Sequence, residues 1–66
     1  DANRLEWKLQ LAIQQLPEKQ RAVFNLRYYD EMPYGEMSRV LETSEGALKA
    51  SYHHAVKKIE DYILNR

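Results

Sequence analysis

Ser44-Glu45-Gly46-Ala47-Leu48-Lys49-Ala50-Ser51-Tyr52-His53-His54-Ala55-Val56-Lys57-Lys58-Ile59 is the stretch on which the fold turns. Ser44 is a good N-cap residue, and Glu45 behind it suits the positive end of a helix. Neither Gly nor Pro interrupts the chain between Gly46 and Leu64, so the stretch predicts a helix from about Glu45 to Leu64. At about 100° per residue, with Leu48 at zero, Tyr52, Ala55, Ile59, Tyr62 and Ile63 fall within about 60° of it and form an apolar strip. Gly46, Lys49, Ala50, His53, His54 and Lys57 fall between about 100° and 240° on the same wheel. Residues 47–58 contain no acid in a chain that has ten, and acids resume only at Glu60 and Asp61.

Working back from this helix, Tyr34 to about Leu41 reads as a short helix with Met37, Val40 and Leu41 as its apolar face. Asp30-Glu31-Met32-Pro33 breaks the chain before it, and Glu42-Thr43-Ser44 is the turn after it. A helix from Pro17 to about Tyr29 carries Ala22, Val23, Phe24 and Leu26, with Pro17 suited to its first position. Residues 3–15 place Leu5, Leu9, Ala12 and Ile13 at helical spacing, Leu16 continues the stripe just beyond them, and Trp7 and Leu11 widen it. Leu16 precedes a proline and is pushed away from helical dihedrals, so the break falls there. The expected fold is therefore an all-α, small four-helix domain. It ends in a helix-turn-helix, with a short helix at about 34–41 and a long one at about 45–64.

Composition narrows the function classes. At 66 residues and without cysteine, the chain has room for one small domain held by apolar packing, with no disulfide or thiolate metal site. It starts at Asp1 rather than Met, so residues 1–66 are expected to be one helix-turn-helix domain from a longer chain. It contains no apolar run of membrane-spanning length and no signal peptide, which fits a cytoplasmic protein without a membrane partner. The net charge is zero, but its distribution is uneven. Residues 30–45 carry Asp30, Glu31, Glu36, Glu42 and Glu45 against Arg39 alone, whereas Lys49, Lys57 and Lys58 follow without an acid.

The acid-free sector has the properties needed by a helix lying in a DNA groove. The major groove is about 12 Å wide and admits one helix. Gly46 and Ala50 allow close backbone approach, Lys49 can donate to guanine or phosphate, His53 and His54 can donate to base edges, and Lys57 can hold a phosphate. A solvated face is the plainer alternative, although such faces usually mix Glu with Lys. His53 and His54 point about 100° apart and are poorly placed to share a metal ion, so no metal or other cofactor is expected. Trp7 and the five tyrosines invite a base-stacking reading, but Tyr52 and Tyr62 lie on the apolar strip and Tyr28, Tyr29 and Tyr34 stay open. Catalysis finds no support. Ser38, Thr43, Ser44 and Ser51 have capping or surface roles, two glycines cannot make a phosphate loop, and no small-molecule substrate is implied.

Four motifs then appear in order: Leu16-Pro17-Glu18-Lys19-Gln20-Arg21-Ala22-Val23-Phe24, Leu26-Arg27-Tyr28-Tyr29, Tyr34-Gly35-Glu36-Met37 and Ser44 through Ala55. Together, across residues 16–59, they resemble region 4, the C-terminal domain, of sigma-70-type RNA polymerase sigma factors of the extracytoplasmic-function group. The resemblance implies sequence-specific binding of the upstream, minus 35 promoter element and docking on the β-subunit flap of the RNA polymerase core. It also implies an anti-sigma factor as partner in many members, and no enzymatic activity. It carries base reading to Lys49, Ala50, His53 and His54 and adds Arg27 as a DNA contact; an ion pair with Asp30 or Glu31 is the other use for Arg27. The candidate DNA-binding set is thus Arg27, Ser44, Gly46, Lys49, Ala50, His53, His54 and Lys57. The chain departs from the family pattern at Pro33, where Ser or Thr often caps the short helix, at Glu42, where Gly often closes it, and at Ser51, where a second basic residue often stands. Two other function classes remain: a helix-turn-helix regulator of another kind, such as a response-regulator domain dimerising on a palindrome, and a helical protein-interaction module without DNA.

Overall fold

A computed structural model describes residues 2–65, with side chains from residue 4 onward; Asp1 and Arg66, the ends of the unit outlined by the sequence, lie outside it. Four helices follow one another: α1 (Ala2–Gln14), α2 (Glu18–Tyr28), α3 (Tyr34–Leu41) and α4 (Glu45–Leu64). The described residues contain no strand. The all-α expectation holds, and α3 and α4 have the bounds anticipated for the final helix pair. α4 is the long rod of the molecule. Its 20 residues give it a length of about 30 Å, against a longest overall dimension of 37 Å.

The helix ends follow from their flanking residues. The last N–H groups before Pro17 tighten onto the third carbonyl back, Gln15 N to Ala12 O and Leu16 N to Ile13 O, each at 3.1 Å. Pro17 is extended at ψ 148° and caps α2 from outside, accepting from Arg21 N at 2.9 Å. The helix therefore starts at Glu18, one residue later than expected. Pro33 does the same for α3, at ψ 148° and with Met37 N as donor at 2.9 Å. α3 ends on Glu42, which is left-handed at φ 51°; Glu42 N and Thr43 N both donate to Ser38 O. A left-handed Glu31, also at φ 51°, reverses the chain after α2.

Two buried clusters form the core. Ala12, Ile13 and Leu16 of the α1 segment pack with Phe24 of α2 and with Ala55 and Ile59 of α4. Val23, Met37 and Leu48 join α2, α3 and α4 in the second cluster. Tyr52 is packed against both. It stacks on Phe24, ring centroids 5.6 Å apart and 15° between planes, and Phe24 in turn stacks on Tyr28 at 5.1 Å. This aromatic ladder clamps α2 to α4.

Several residues assigned to apolar faces by the sequence are exposed. Trp7 is 68% exposed, Leu5 59% and Val40 58%; Ala22 is also exposed. By the 100° wheel Trp7 lies about 170° from the centre of the buried stripe of α1, so it does not widen that stripe. Val40 lies about 90° from the centre of the arc formed by Tyr34, Met37 and Leu41. Leu5 shares the stripe's angle but stands a full turn before Leu9, the first α1 residue packed on the core.

Candidate nucleic-acid interface

Ser44 begins the candidate face. Its Oγ accepts the Ala47 N–H at 3.2 Å and its carbonyl accepts the Leu48 N–H at 3.0 Å, which locks the first turn of α4. The exposed hydroxyl keeps its own hydrogen available for donation. From this fixed start, the periodicity of α4 separates two sides. Leu48, Ala55 and Ile59 are buried, with Tyr52, Tyr62 and Ile63 half-buried around them. Gly46, Lys49, Ala50, His53, His54 and Lys57 are all exposed on the other side.

The small residues on this side leave its middle low. A Cβ added at Gly46 would meet nothing within 4 Å, so nothing inside the molecule requires glycine there. The His53 and His54 rings diverge, with centroids 6.2 Å apart and 55° between planes. Among the described residues no three His, Cys, Asp or Glu side chains gather as metal ligands, and no cavity is enclosed. The candidate site is a convex face.

Arg27 comes to this face from α2. The half-buried side chain donates from Nη1 to the Met32 carbonyl at 3.1 Å, across the loop that leads into α3. Its guanidinium carbon lies over the Tyr34 ring, 4.9 Å from the centroid. The Arg27 side chain is thus turned to Met32 and Tyr34 rather than to Asp30 or Glu31. Lys49 Nζ lies over the same ring at 5.6 Å. Two of the candidate contacts, on different helices, therefore meet around a residue that the sequence left unassigned. No single-helix wheel could reveal Tyr34, because its role is defined by α2 and α4 and it stands on α3.

Glu45 stands in the first turn of α4, as the sequence suggested, but its reach towards α3 was not legible there. Its Oε2 lies 3.6 Å from the point where a Cβ on Gly35 would stand, so the carboxylate leans across the turn towards the start of α3. The positive ends of α3 and α4 both favour an anion there. It stands one residue before the acid-free sector and bounds it.

Ser44, Gly46, Lys49, Ala50, His53, His54 and Lys57 follow one another along the outer side of α4, and Arg27 joins them at the end near Tyr34. Such a face can present cations and imidazoles to an anionic surface with the backbone close behind. A family model described as Sigma-70, region 4 matches residues 6–59. No curated protein matches the chain. No helix among the described residues is long and apolar enough to cross a membrane. The matched span takes in all of α2 and α3 and the whole α4 face, and the chain accordingly belongs to the sigma-70 region 4 family, the promoter-binding domains of sigma factors and not an enzyme family.

Proposed function

We propose that this chain binds the upstream, minus 35 element of promoters as region 4 of a sigma factor of the extracytoplasmic-function group. The observation that carries the reading is the outer side of α4, where Gly46, Lys49, Ala50, His53, His54 and Lys57 are exposed together opposite the buried Leu48, Ala55 and Ile59. In this reading α4 enters the major groove. Lys49, His53 and His54 address base edges, and Gly46 and Ala50 let the backbone approach. Arg27, Ser44 and Lys57 hold phosphates. Phosphate contacts set the register, and base contacts set the sequence.

A chain of zero net charge with an acidic first half of its motif binds weakly alone. Affinity comes from assembly with RNA polymerase, here through the β-subunit flap, which raises the effective concentration of the domain at the promoter. An anti-sigma factor is the partner proposed to withhold the same domain, and the cytoplasm is where these encounters take place.

Footprinting of polymerase holoenzyme carrying this chain tests the reading. A single asymmetric protected site upstream of the start is expected, whereas paired half-sites would reassign the chain to a dimeric regulator. Lys49→Ala is expected to weaken promoter binding by about 1–3 kcal/mol if it is bidentate to guanine. Lys57→Ala is expected to weaken binding to every sequence alike and to lower the salt slope by about one. A sequence-selective loss at Lys57 would make it a base reader instead.

A further inference from the structure

Three helices contribute one residue each to a small constellation at the leading end of α4. Arg27 comes from α2, Tyr34 opens α3 and Lys49 comes from the second turn of α4. The guanidinium carbon and the ammonium nitrogen stand 4.9 and 5.6 Å from the centroid of one phenol ring. The two cations are therefore no farther apart than the sum of those distances. That separation is comparable with the Debye length of about 8–10 Å, so salt does not fully hide them from each other. They repel, and the negative face of the ring is what holds them in spite of it.

The ring itself is anchored. Tyr34 is half-buried and packs against Val23, Met37 and Leu48, the fully buried centre of the second cluster. Arg27 has a second tether in the Met32 carbonyl. The core thus fixes the ring, and the ring fixes two long side chains that otherwise sample many rotamers. Ordering such a side chain at an interface costs about 0.5–1.5 kcal/mol each, and side chains ordered beforehand avoid that cost on binding.

We propose that Tyr34 is a positioning residue whose ring holds Arg27 and Lys49 as a preformed cationic pair for duplex DNA. The proposal rests on the DNA-binding reading above. Tyr34 need not touch DNA, and its whole contribution passes through the two cations. This separates it from a purely structural tyrosine, which would act whether or not Arg27 and Lys49 were present.

The test uses RNA polymerase holoenzyme carrying this chain and a promoter duplex selected by it from a randomised pool. Tyr34→Leu removes the π face and keeps an apolar side chain, while Tyr34→Phe keeps the face. Binding about tenfold weaker is expected for Tyr34→Leu, the equivalent of two side chains released, with wild-type affinity for Tyr34→Phe. In an Arg27→Ala, Lys49→Ala background, Tyr34→Leu is expected to change affinity no further. Side-chain NMR of the free protein supplies a readout that needs neither DNA nor a variant. The methylenes of Lys49 and Arg27 next to their charged groups are expected upfield by the ring current of Tyr34. Normal shifts in the wild-type protein overturn the proposal even if Tyr34→Leu does not fold. It is equally overturned if Tyr34→Leu binds like wild type, if the loss persists in the double background, or if Phe fails to rescue. Upfield shifts in the wild-type chain, together with a wild-type holoenzyme in which this chain protects no upstream element of any duplex, overturn the DNA reading itself, and the DNA role of Tyr34 with it.

Discussion

Glu42 illustrates how one residue can hold a turn at some cost. At φ 51° it occupies the left-handed region, which costs a residue with a Cβ about 1–2 kcal/mol and glycine nothing. It stays there because the turn is closed by hydrogen bonds from Glu42 N and Thr43 N to Ser38 O, with Ser44 then placed to cap α4. The sequence already marked this position as unusual, since glycine often closes the corresponding helix in the family it resembles. Glu42→Gly relieves the strain, and the added freedom of the unfolded chain returns about 0.4–1 kcal/mol of it. The net expectation is a stabilisation of about 0.5–1 kcal/mol, read as a melting temperature higher by roughly 2–8 °C for a domain of this size. An unchanged or lower melting temperature would mean that the Glu42 side chain makes a compensating contact.

At the scale of the element, α4 has to satisfy the core on one side and the candidate DNA face on the other, and Gly46 separates the two demands. A methyl group there meets no atom within 4 Å, and alanine is favoured over glycine in a helix by about 0.5–1 kcal/mol. Gly46→Ala is therefore expected to raise the melting temperature while weakening binding to a selected duplex, two effects of opposite sign in one variant. Equal affinity would show that the closest backbone approach lies elsewhere, at Ala50. The extent of α4 was legible because its signals are local: a capping Ser44, an acid behind it, and no breaker until its end. The errors came from geometry that periodicity alone does not carry. Val40 is close to Met37 and Leu41 in sequence, yet it points off the arc that faces the other helices, and its exposure follows. Leu5 has the right angle but lies beyond the packed part of α1. Tyr34 gains its meaning only when α2 and α4 bring Arg27 and Lys49 to it.

At the scale of the whole molecule, one side chain among the described residues is packed against both core clusters. Tyr52 packs against both, and its ring continues the Phe24–Tyr28 stack. Burial raises its pKa above the ordinary value of 10.0, the neighbouring Tyr34 adds to the rise, and Arg27 opposes it. Tyr29 shifts the same way, chiefly by burial and then by Glu6, against the hydrogen bond donated by Gln10 Nε2 to its hydroxyl at 2.9 Å. A tyrosine whose folded pKa is raised holds its proton more tightly in the folded state than in the unfolded chain. Its contribution to stability is complete below the unfolded value of about 10 and is lost as pH rises through the folded pKa. Alkali should therefore loosen the junction between the clusters. Tyr52→Phe keeps the stacked ring and removes the ionisable hydroxyl, so the variant lacks this part of the alkaline loss. Lysine deprotonation is common to both proteins and cancels in their comparison. The expected result is a set of urea midpoints in which the difference between Tyr52→Phe and wild type is constant at neutral pH and moves in the variant's favour above about pH 10. Parallel curves throughout would show that the Tyr52 hydroxyl ionises as freely in the folded molecule as in the unfolded one, and that alkaline sensitivity has its origin in another group.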